Sequence, residues 1–285
     1  MPKQPTYLVT LSCPDRTGIV ADVGKFLVDN GCNIVECAQF GDTQNGRFFM
    51  RTSFHSLEGR DLASLEAAFA VVAARFDMEA RFYDLARPMR TLVMVSKLGH
   101  CLNDLLFRHR IGAIPIDVRA IVSNHEDFAS QAAHDDIPFH VLPVTPETKA
   151  EAEQQLAQMI EAEGIELIVL ARYMQVLSEE FCARYPGRII NIHHSFLPSF
   201  KGAKPYHRAH DRGVKLIGAT AHYVTADLDE GPIIEQGVER VRHNNSAGDL
   251  VAIGRDVESV VLARAVQWHA EHRVLLNGHR TVVFQ

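Results

Sequence analysis

The sequence lacks a long uncharged run and an excess of positive charge. Its longest stretch without Asp, Glu, Lys or Arg is the 12 residues at 189–200, well below the ~20 apolar residues that a membrane-spanning helix needs. The 29 Lys and Arg against 35 Asp and Glu leave a net charge of −6, which offers no electrostatic footprint for a polyanion. We therefore expect neither a membrane-inserted protein nor a nucleic-acid partner.

Paired-cysteine motifs and a secretory signal are also missing. The five cysteines are an odd number at irregular spacings, without a Cys-x-x-Cys pair, which is typical of reduced thiols and argues against a disulfide framework or zinc ribbon. The apolar run at 7–11 is soon interrupted by Asp15 and Arg16, too short for a signal peptide. These features predict a cytoplasmic protein.

The 285 residues correspond to about two domains. The first 86 residues follow a β-α-β-β-α-β pattern. Apolar alternation predicts strands at 7–12, 33–40, 47–55 and 78–85, and helical spacing predicts helices at 18–30 and 61–75. This order predicts a ferredoxin-like α+β domain over residues 1–86.

A different pattern starts near residue 87. Short apolar runs at 91–95, 118–122, 139–142, 167–170 and 189–192 alternate with helical segments, and a last helix is predicted at 247–273. Near-continuous apolar strands separated by helices indicate a mostly parallel sheet that is buried on both faces. We predict a Rossmann-like α/β domain over residues 87–285.

The residues best suited to chemistry follow the run at 189–192. Asn191 and His193 fall at the carboxyl end of a strand, where open α/β sheets bind ligands, and strand alternation puts both side chains on one face. An amide and an imidazole there can hold and protonate a polarised carbonyl oxygen. A later turn carries Asp227, Asp229 and Glu230. One of these carboxylates would complete an acid/base set, but spacing does not say which one.

Together these residues resemble a known active-site signature. The pattern comprises Asn191-Ile-His193, Ser195-Phe-Leu-Pro198, Gly202, His222 and Leu228-Asp229-Glu-Gly-Pro232. It is similar to that of formyltransferase-type domains that use 10-formyltetrahydrofolate. The resemblance implies that Asn191, His193 and Asp229 are catalytic, with a folate substrate and without a metal or other cofactor. It also implies a set of substrate-binding residues, namely Tyr173, Met174, Gln175, Val176, Leu177, His222, Asp227, His100 and Cys101.

The N-terminal domain has a resemblance of its own. Residues 13–19 and 30–33 resemble an ACT domain, a module that binds amino acids and regulates an attached enzyme. The resemblance implies effector-binding residues, namely Asp15, Arg16, Thr17, Gly18 and Asn33, and a homo-oligomer. The effector is left open, with glycine and methionine as options. An ACT domain followed by a formyltransferase-type domain is the arrangement of formyltetrahydrofolate deformylases, which implies formate release for purine biosynthesis and for balance of the one-carbon folate pool.

Two other functions are open at this level. A formyltransferase would pass the formyl group to an amine such as glycinamide ribonucleotide. Transformylases of that kind have a glycine- and serine-rich loop after the first strand, whereas residues 96–106 contain one glycine and resemble the deformylase loop. Gln175 also stands where transformylases commonly carry Arg. A non-catalytic folate and amino-acid sensor is the second alternative, and the presence of Asn191, His193 and Asp229 argues against it.

Overall fold

The computed structural model describes residues 5–197 and 205–285. The chain divides into two compact units. The first contains Met1–Pro88 together with Glu271–Leu275 and Val282–Gln285, and the second contains Met89–Ala270 and Leu276–Thr281.

The first unit is an antiparallel sheet with two helices. Its elements, in chain order, are β1 (Thr6–Pro14), α1 (Ile19–Asp29), β2 (Cys32–Asp42), β3 (Arg47–Ser56), α2 (Leu62–Phe76) and β4 (Glu79–Asp84). Within residues 5–88 the strand order is β2-β3-β1-β4, with antiparallel neighbours. The predicted ferredoxin-like α+β arrangement is confirmed. Its core holds an aromatic pair between the two helices, Phe26–Phe69, and one between α2 and β4, Phe69–Phe82, with ring centroids 5.0 and 5.3 Å apart.

The second unit is a mostly parallel sheet with helices. Its elements, in chain order, are β5 (Met89–Val95), α3 (His100–Arg110), β6 (Ile116–Ser123), α4 (Ala129–His134), β7 (Phe139–Val141), α5 (Lys149–Ala162), β8 (Leu167–Leu170), α6 (Glu179–Arg184), β9 (Ile189–His193), α7 (Pro205–Asp211), β10 (Leu216–Tyr223), β11 (Ile233–Arg240) and α8 (Ala247–Ala270). Two short strands, β12 (Val274–Asn277) and β13 (Arg280–Val283), follow and pair with each other.

Strand order places the functional crevice. In the described part of this sheet the order is β11-β10-β9-β8-β5-β6-β7, parallel from β9 to β7 and antiparallel at β10 and β11. The predicted Rossmann-like parallel sheet is confirmed. β5 comes first in sequence and lies between β8 and β6, so the connections leave it in opposite directions. Such a switch point opens a crevice at the carboxyl ends of the strands.

The end of the chain contributes segments to both units. α8 ends at Ala270, and Glu271–Leu275 belongs to the first unit. Arg51, which is 3% exposed, donates to the carbonyl oxygen of Glu271 at 3.0 Å and to Glu36 at 2.7 Å. The His272 ring also stacks on Tyr83, with centroids 3.5 Å apart. Polar contacts of this kind leave no hydrophobic periodicity by which the sequence could reveal them.

Each helix within residues 5–197 and 205–285 is too short or too polar to cross a lipid bilayer.

A buried histidine at the end of α8 makes stability depend on pH. A hydrogen bond of 2.7 Å joins Tyr223 Oη and His269 Nδ1, and burial lowers the pKa of His269 to about 4. Because an unfolded histidine titrates near ~6.5, the unfolded chain binds the extra proton first. The free energy of unfolding should therefore fall as the pH drops from ~6.5 towards ~4, by about 3 kcal/mol from this group.

Thermal melts of His269→Gln across this range test the prediction. The variant should lose less stability on acidification than the parent protein, and His243→Gln, at an exposed position, should follow the parent curve. If melting temperature fell with pH in the same way for His269→Gln and the parent protein, the loss of stability would not come from His269.

Candidate active site

Asn191 and His193 lie at the carboxyl end of β9, as the strand pattern predicts. β10 pairs antiparallel with β9, so that His222 lies opposite Asn191 and Thr220 lies opposite His193. Cross-strand partners share a face of the sheet, and this register brings His222 to the two predicted catalytic residues. The motif positions Pro198 and Gly202 lie outside the described residues.

Asp229 reaches this face through a tightly closed loop after β10. Tyr223 N donates to the carbonyl oxygen of Pro232 at 2.9 Å. A Cβ atom on Gly231 would lie 1.8 Å from the Tyr223 carbonyl oxygen, so only glycine permits this approach. Asp229 itself has a φ of +59°, a left-handed conformation that aspartate tolerates better than most residues. The loop thus returns the carboxylate to the end of β9.

The three predicted catalytic residues form one contact network with His222. Asp229 Oδ2 lies 3.2 Å from His193 Nδ1, and its Oδ1 lies 3.7 Å from His222 Nε2. Asn191 Nδ2 lies 3.3 Å from the same His222 nitrogen. The hydrogen bond from His193 and the nearby imidazoles outweigh burial and hold the pKa of Asp229 below its usual range. Asp229 is therefore a carboxylate at neutral pH.

The network also sets the donor and acceptor roles of the rings. His222 Nδ1 donates to the Tyr223 carbonyl oxygen at 2.8 Å, so in the neutral ring Nε2 accepts from the Asn191 amide. Burial lowers the pKa of His222, which keeps that ring neutral. His193 Nδ1 faces the Asp229 carboxylate and donates to it, and its Nε2 is buried without a hydrogen-bond partner among the described residues. That nitrogen is available to a ligand.

These residues open onto a cavity of about 590 Å³, within the size range of small-molecule sites. Its wall includes the five predicted residues of the loop after β8, together with Asp227 and Asp229 from the loop after β10. Met174 and Val176 are each 57% exposed and provide apolar surface. Ser96 at the end of β5 holds this loop, because its hydroxyl accepts from Met174 N at 2.9 Å.

His100 and Cys101 differ in position, although both are predicted to bind substrate. His100 begins α3 and lines the cavity, whereas Cys101 is fully buried and is not part of the cavity wall. It packs on the inner face of α3 with Leu102, Leu105 and Leu106, and burial raises the pKa of its thiol.

The predicted effector residues lie at two ends of the first sheet. Asp15–Gly18 follows the end of β1, and all four residues are exposed. Asn33 pairs with His55, which pairs with Thr6 at the start of β1. The eight residue steps from Thr6 to Pro14 correspond to ~25 Å of strand. One copy of the chain therefore does not bring Asn33 together with Asp15, Arg16, Thr17 and Gly18.

The cavity wall contains functional groups that the sequence analysis did not select. They are Arg172, His194, Tyr206, Arg255 and Glu258. The sequence could have indicated Glu258, because it recurs at the spacing of Leu250, Gly254 and Leu262 on the buried face of α8. An acidic side chain at such a position is rarely buried without a partner.

Within the described residues, one cluster has the composition of a metal site. The ligand atoms of His100, Cys101 and Glu258 lie within 4.8 Å of one another. However, the Glu258 carboxylate already accepts from His100 and Tyr206 and lies 3.3 Å from the Arg172 guanidinium. A cation there would meet a fixed positive charge, so this donor set does not suit a metal ion.

Comparison with known proteins agrees with this fold and site. Residues 89–266 match the Formyl transferase family. Formyltetrahydrofolate deformylase from Corynebacterium sp. (strain P-1) is 50% identical over 286 residues, covering 100% of both chains. The crystal structure of formyltetrahydrofolate deformylase from Burkholderia mallei ATCC 23344 is 54% identical with a TM-score of 0.95, and the match covers 99% of this chain and 100% of that one.

Transformylases match a smaller part of the chain. Glycinamide ribonucleotide transformylase 1 from Symbiobacterium toebii is 30% identical with a TM-score of 0.65, and the match covers 70% of this chain and 95% of that one. The fold and the Asn-His-Asp site define the second unit as a formyl transferase domain. With the relatives that match over its whole length, the chain belongs to the formyltetrahydrofolate deformylase family.

Proposed function

We propose that this protein hydrolyses 10-formyltetrahydrofolate to formate and tetrahydrofolate. The observation that carries the proposal is the contact of Asp229 with His193, 3.2 Å apart, beside the Asn191 amide in one cavity. Deformylase relatives that match the full length of the chain support the same reaction. The formate would supply purine biosynthesis, and the reaction would balance the one-carbon folate pool.

The proposed reaction replaces a carbon–nitrogen bond with a carbon–oxygen bond. Asp229, ionised at neutral pH, orients a water molecule and takes up its proton as the oxygen attacks the formyl carbon. The carbonyl oxygen gains negative charge and accepts from Asn191 Nδ2 and from protonated His193. His193 then passes a proton to N10 as the carbon–nitrogen bond breaks. The proton that Asp229 took from water then returns to His193, which restores the carboxylate and the protonated imidazole. The formic acid product gives its own proton to solvent and leaves as formate.

Each neighbour of the three residues has a role in this reaction. His222 stays neutral and, by accepting from one Asn191 N–H, leaves the second N–H for the oxyanion. Tyr173, Met174, Gln175, Val176 and Leu177 form the wall that would hold the pteridine. Burial raises the pKa of Tyr173 to about 12, so its hydroxyl remains a neutral donor. Asp227 and His100 would contact more distant parts of the substrate.

Formate release measured with and without glycinamide ribonucleotide tests the function. Release by the purified protein without an amine acceptor is the expected result. Formate-free transfer that requires the acceptor would support the transformylase alternative. Binding of 10-formyltetrahydrofolate without turnover under either condition would support the sensor alternative.

The first unit is proposed to act as a regulatory ACT-like domain for residues 87–285. Amino-acid binding and homo-oligomer formation support each other, because Asn33 and Asp15–Gly18 are far apart in one copy and a shared site would need two. β2 is an edge strand with Ile34, Val35 and Phe40 exposed, a surface suited to pairing with another strand. Calorimetry with glycine and with methionine tests amino-acid binding, and sedimentation velocity tests homo-oligomer formation. A monomeric protein that binds neither amino acid would contradict the proposal.

A cytoplasmic location is also proposed, because the substrate pool and the five free cysteines suit a reducing compartment. Cell fractionation tests it, and recovery outside the cytoplasmic fraction would contradict it.

A further inference from the structure

A buried carboxylate lies beside the cavity on a helix face that is otherwise apolar. Glu258 is 1% exposed in α8, on the side that carries the buried residues Leu250, Val261 and Leu262. A carboxylate removed from water costs several kcal/mol unless other groups compensate for the lost hydration. The contacts of Glu258 therefore indicate what its charge does.

Three groups from separate segments converge on this carboxylate. His100 Nε2, at the start of α3, lies 2.8 Å from Oε2, and Tyr206 Oη, in α7, donates to Oε1 at 2.7 Å. Arg172 Nε, in the loop after β8, lies 3.3 Å from Oε2. This nitrogen makes no hydrogen bond among the described residues, so we treat the contact as an ion pair.

Two residues at this cluster, Gly254 and Arg172, are unfavourable by ordinary backbone preferences. Gly254 lies one turn before Glu258, and a Cβ atom there would be 2.1 Å from Tyr206 Cζ. Glycine makes room for the tyrosine ring, although it costs a helix interior about 1 kcal/mol relative to alanine. Arg172 has a φ of +64°, which is unfavourable for a side chain of its size. Such local conflicts concentrate at functional sites.

The carboxylate determines which ring nitrogen of His100 carries a proton. Burial alone would raise the pKa of Glu258, but the hydrogen bonds from His100 and Tyr206 and the charge of Arg172 hold it below the usual range. Since a carboxylate only accepts, His100 must donate through Nε2, which leaves a lone pair on Nδ1 when the ring is neutral. His100 thus contributes a defined acceptor to the cavity wall.

Arg172 extends the same control to His194. Its Nη1 donates to His194 Nδ1 at 2.8 Å, so the neutral His194 ring carries its proton on Nε2. Burial, together with the charges of Arg172 and His193, lowers the pKa of His194 to about 4. The His194 ring stacks on His193 with centroids 4.9 Å apart and an interplanar angle of 23°. Glu258 is therefore connected to the catalytic imidazole through two side chains.

We propose that Glu258 is a positioning residue for the hydrolysis: its carboxylate orients His100 and, through Arg172, holds a neutral His194 against His193. The inference rests on the proposed function. A neutral His194 allows His193 to carry a proton during turnover without a second imidazolium beside it. Titratable and charged groups facing Glu258 are His100, Cys101, Arg172 and Tyr206; those facing His194 are Arg172, His193, Glu258 and Asp229.

Glu258→Gln keeps the shape of the side chain and removes its charge. We expect kcat to fall on the order of 10²-fold, as for other carboxylates that orient functional imidazoles, with a smaller rise in KM because Glu258 also orients His100, which would contact the substrate. Glu235→Gln is the matched control, because Glu235 is a half-buried carboxylate of β11 that pairs with Arg264 of the same helix at 3.5 Å. The control should shift the melting temperature and leave kcat unchanged. A wild-type kcat in Glu258→Gln, or a loss confined to KM, would overturn the proposal.

Chemical rescue separates positioning from general damage to the fold. Glu258→Ala should recover part of its lost kcat as acetate is added, in a saturable manner, because acetate can occupy the space and accept from the same donors. Glu258→Gln, in which that space is filled, should not respond. Failure of acetate to restore Glu258→Ala would count against a role for the carboxylate itself.

A measurement without substrate keeps this inference separate from the proposed function. In ¹⁵N spectra of the wild-type protein at neutral pH, His100 and His194 should each report a proton on Nε2, and Glu258→Gln should show mixed tautomers. Unchanged tautomers in the variant would overturn the positioning role even if formate release is confirmed. If the wild-type protein releases no formate, the proposed function fails, and the spectra still decide whether Glu258 controls the two rings.

Discussion

Asp229→Asn is expected to lower kcat for formate release by about 10³-fold or more, within the range for loss of a group that both acts as a base and orients an imidazole. Asparagine can still accept from His193 Nδ1, but it neither takes a proton from water nor stabilises a protonated imidazole. KM should change little, because the side chain of residue 229 acts on the reacting atoms. Initial rates of formate release across substrate concentrations provide the measurement.

The neighbouring Asp227→Asn distinguishes the two acids of this loop. Asp227 also lines the cavity, yet within the described residues no hydrogen bond or ion pair joins it to His193 or His222. Its replacement should act mainly on KM and reduce kcat by less than about tenfold. If Asp227→Asn lost more turnover than Asp229→Asn, the assignment of the catalytic carboxylate would be wrong.

Asn191→Ala is expected to lower kcat by roughly 10²- to 10³-fold, the usual cost of one oxyanion donor. The change leaves His222 Nε2 without its donor, which should cost about 1 kcal/mol of stability, so the variant should remain folded. Rates and thermal melts measured on the same preparation separate these two effects.

Asn191→Asp provides the second half of this experiment. Aspartate matches asparagine in size but lacks the N–H donor and places negative charge near the developing oxyanion, so the loss should be at least as large as in Asn191→Ala. A folded Asn191→Ala or Asn191→Asp enzyme with near wild-type kcat would remove Asn191 from the mechanism.

Strand periodicity accounts for the parts of the site that were predictable. Asn191 and His193 follow a run of buried residues, and alternation along β9 puts them on one face. The sheets were predictable for the same reason, since each strand reads as an apolar run or an alternating segment. The return of Asp229 to this face was not deducible from spacing, because it depends on the close approach of Gly231 to the Tyr223 carbonyl oxygen. Only the resemblance to formyltransferase-type domains indicated that acid.

Helical spacing could have separated Cys101 from His100, since Cys101 shares the inner face of α3 with Leu102, Leu105 and Leu106. The other differences from the residue-level expectations depend on long-range pairing. Asn33 lies far from Asp15 because of the register between β2, β3 and β1. The Glu258 cluster joins residues 158 positions apart in the chain, a distance over which no local pattern carries information.

The most direct test of the central claim is the source of the second oxygen in formate. When the reaction is run in water enriched in ¹⁸O and the product is collected before exchange, hydrolysis predicts one solvent oxygen in each formate molecule. Mass spectrometry of the formate measures this incorporation. Formate without solvent oxygen, or a formyl group recovered only on an added amine, would contradict direct attack by water in this cavity.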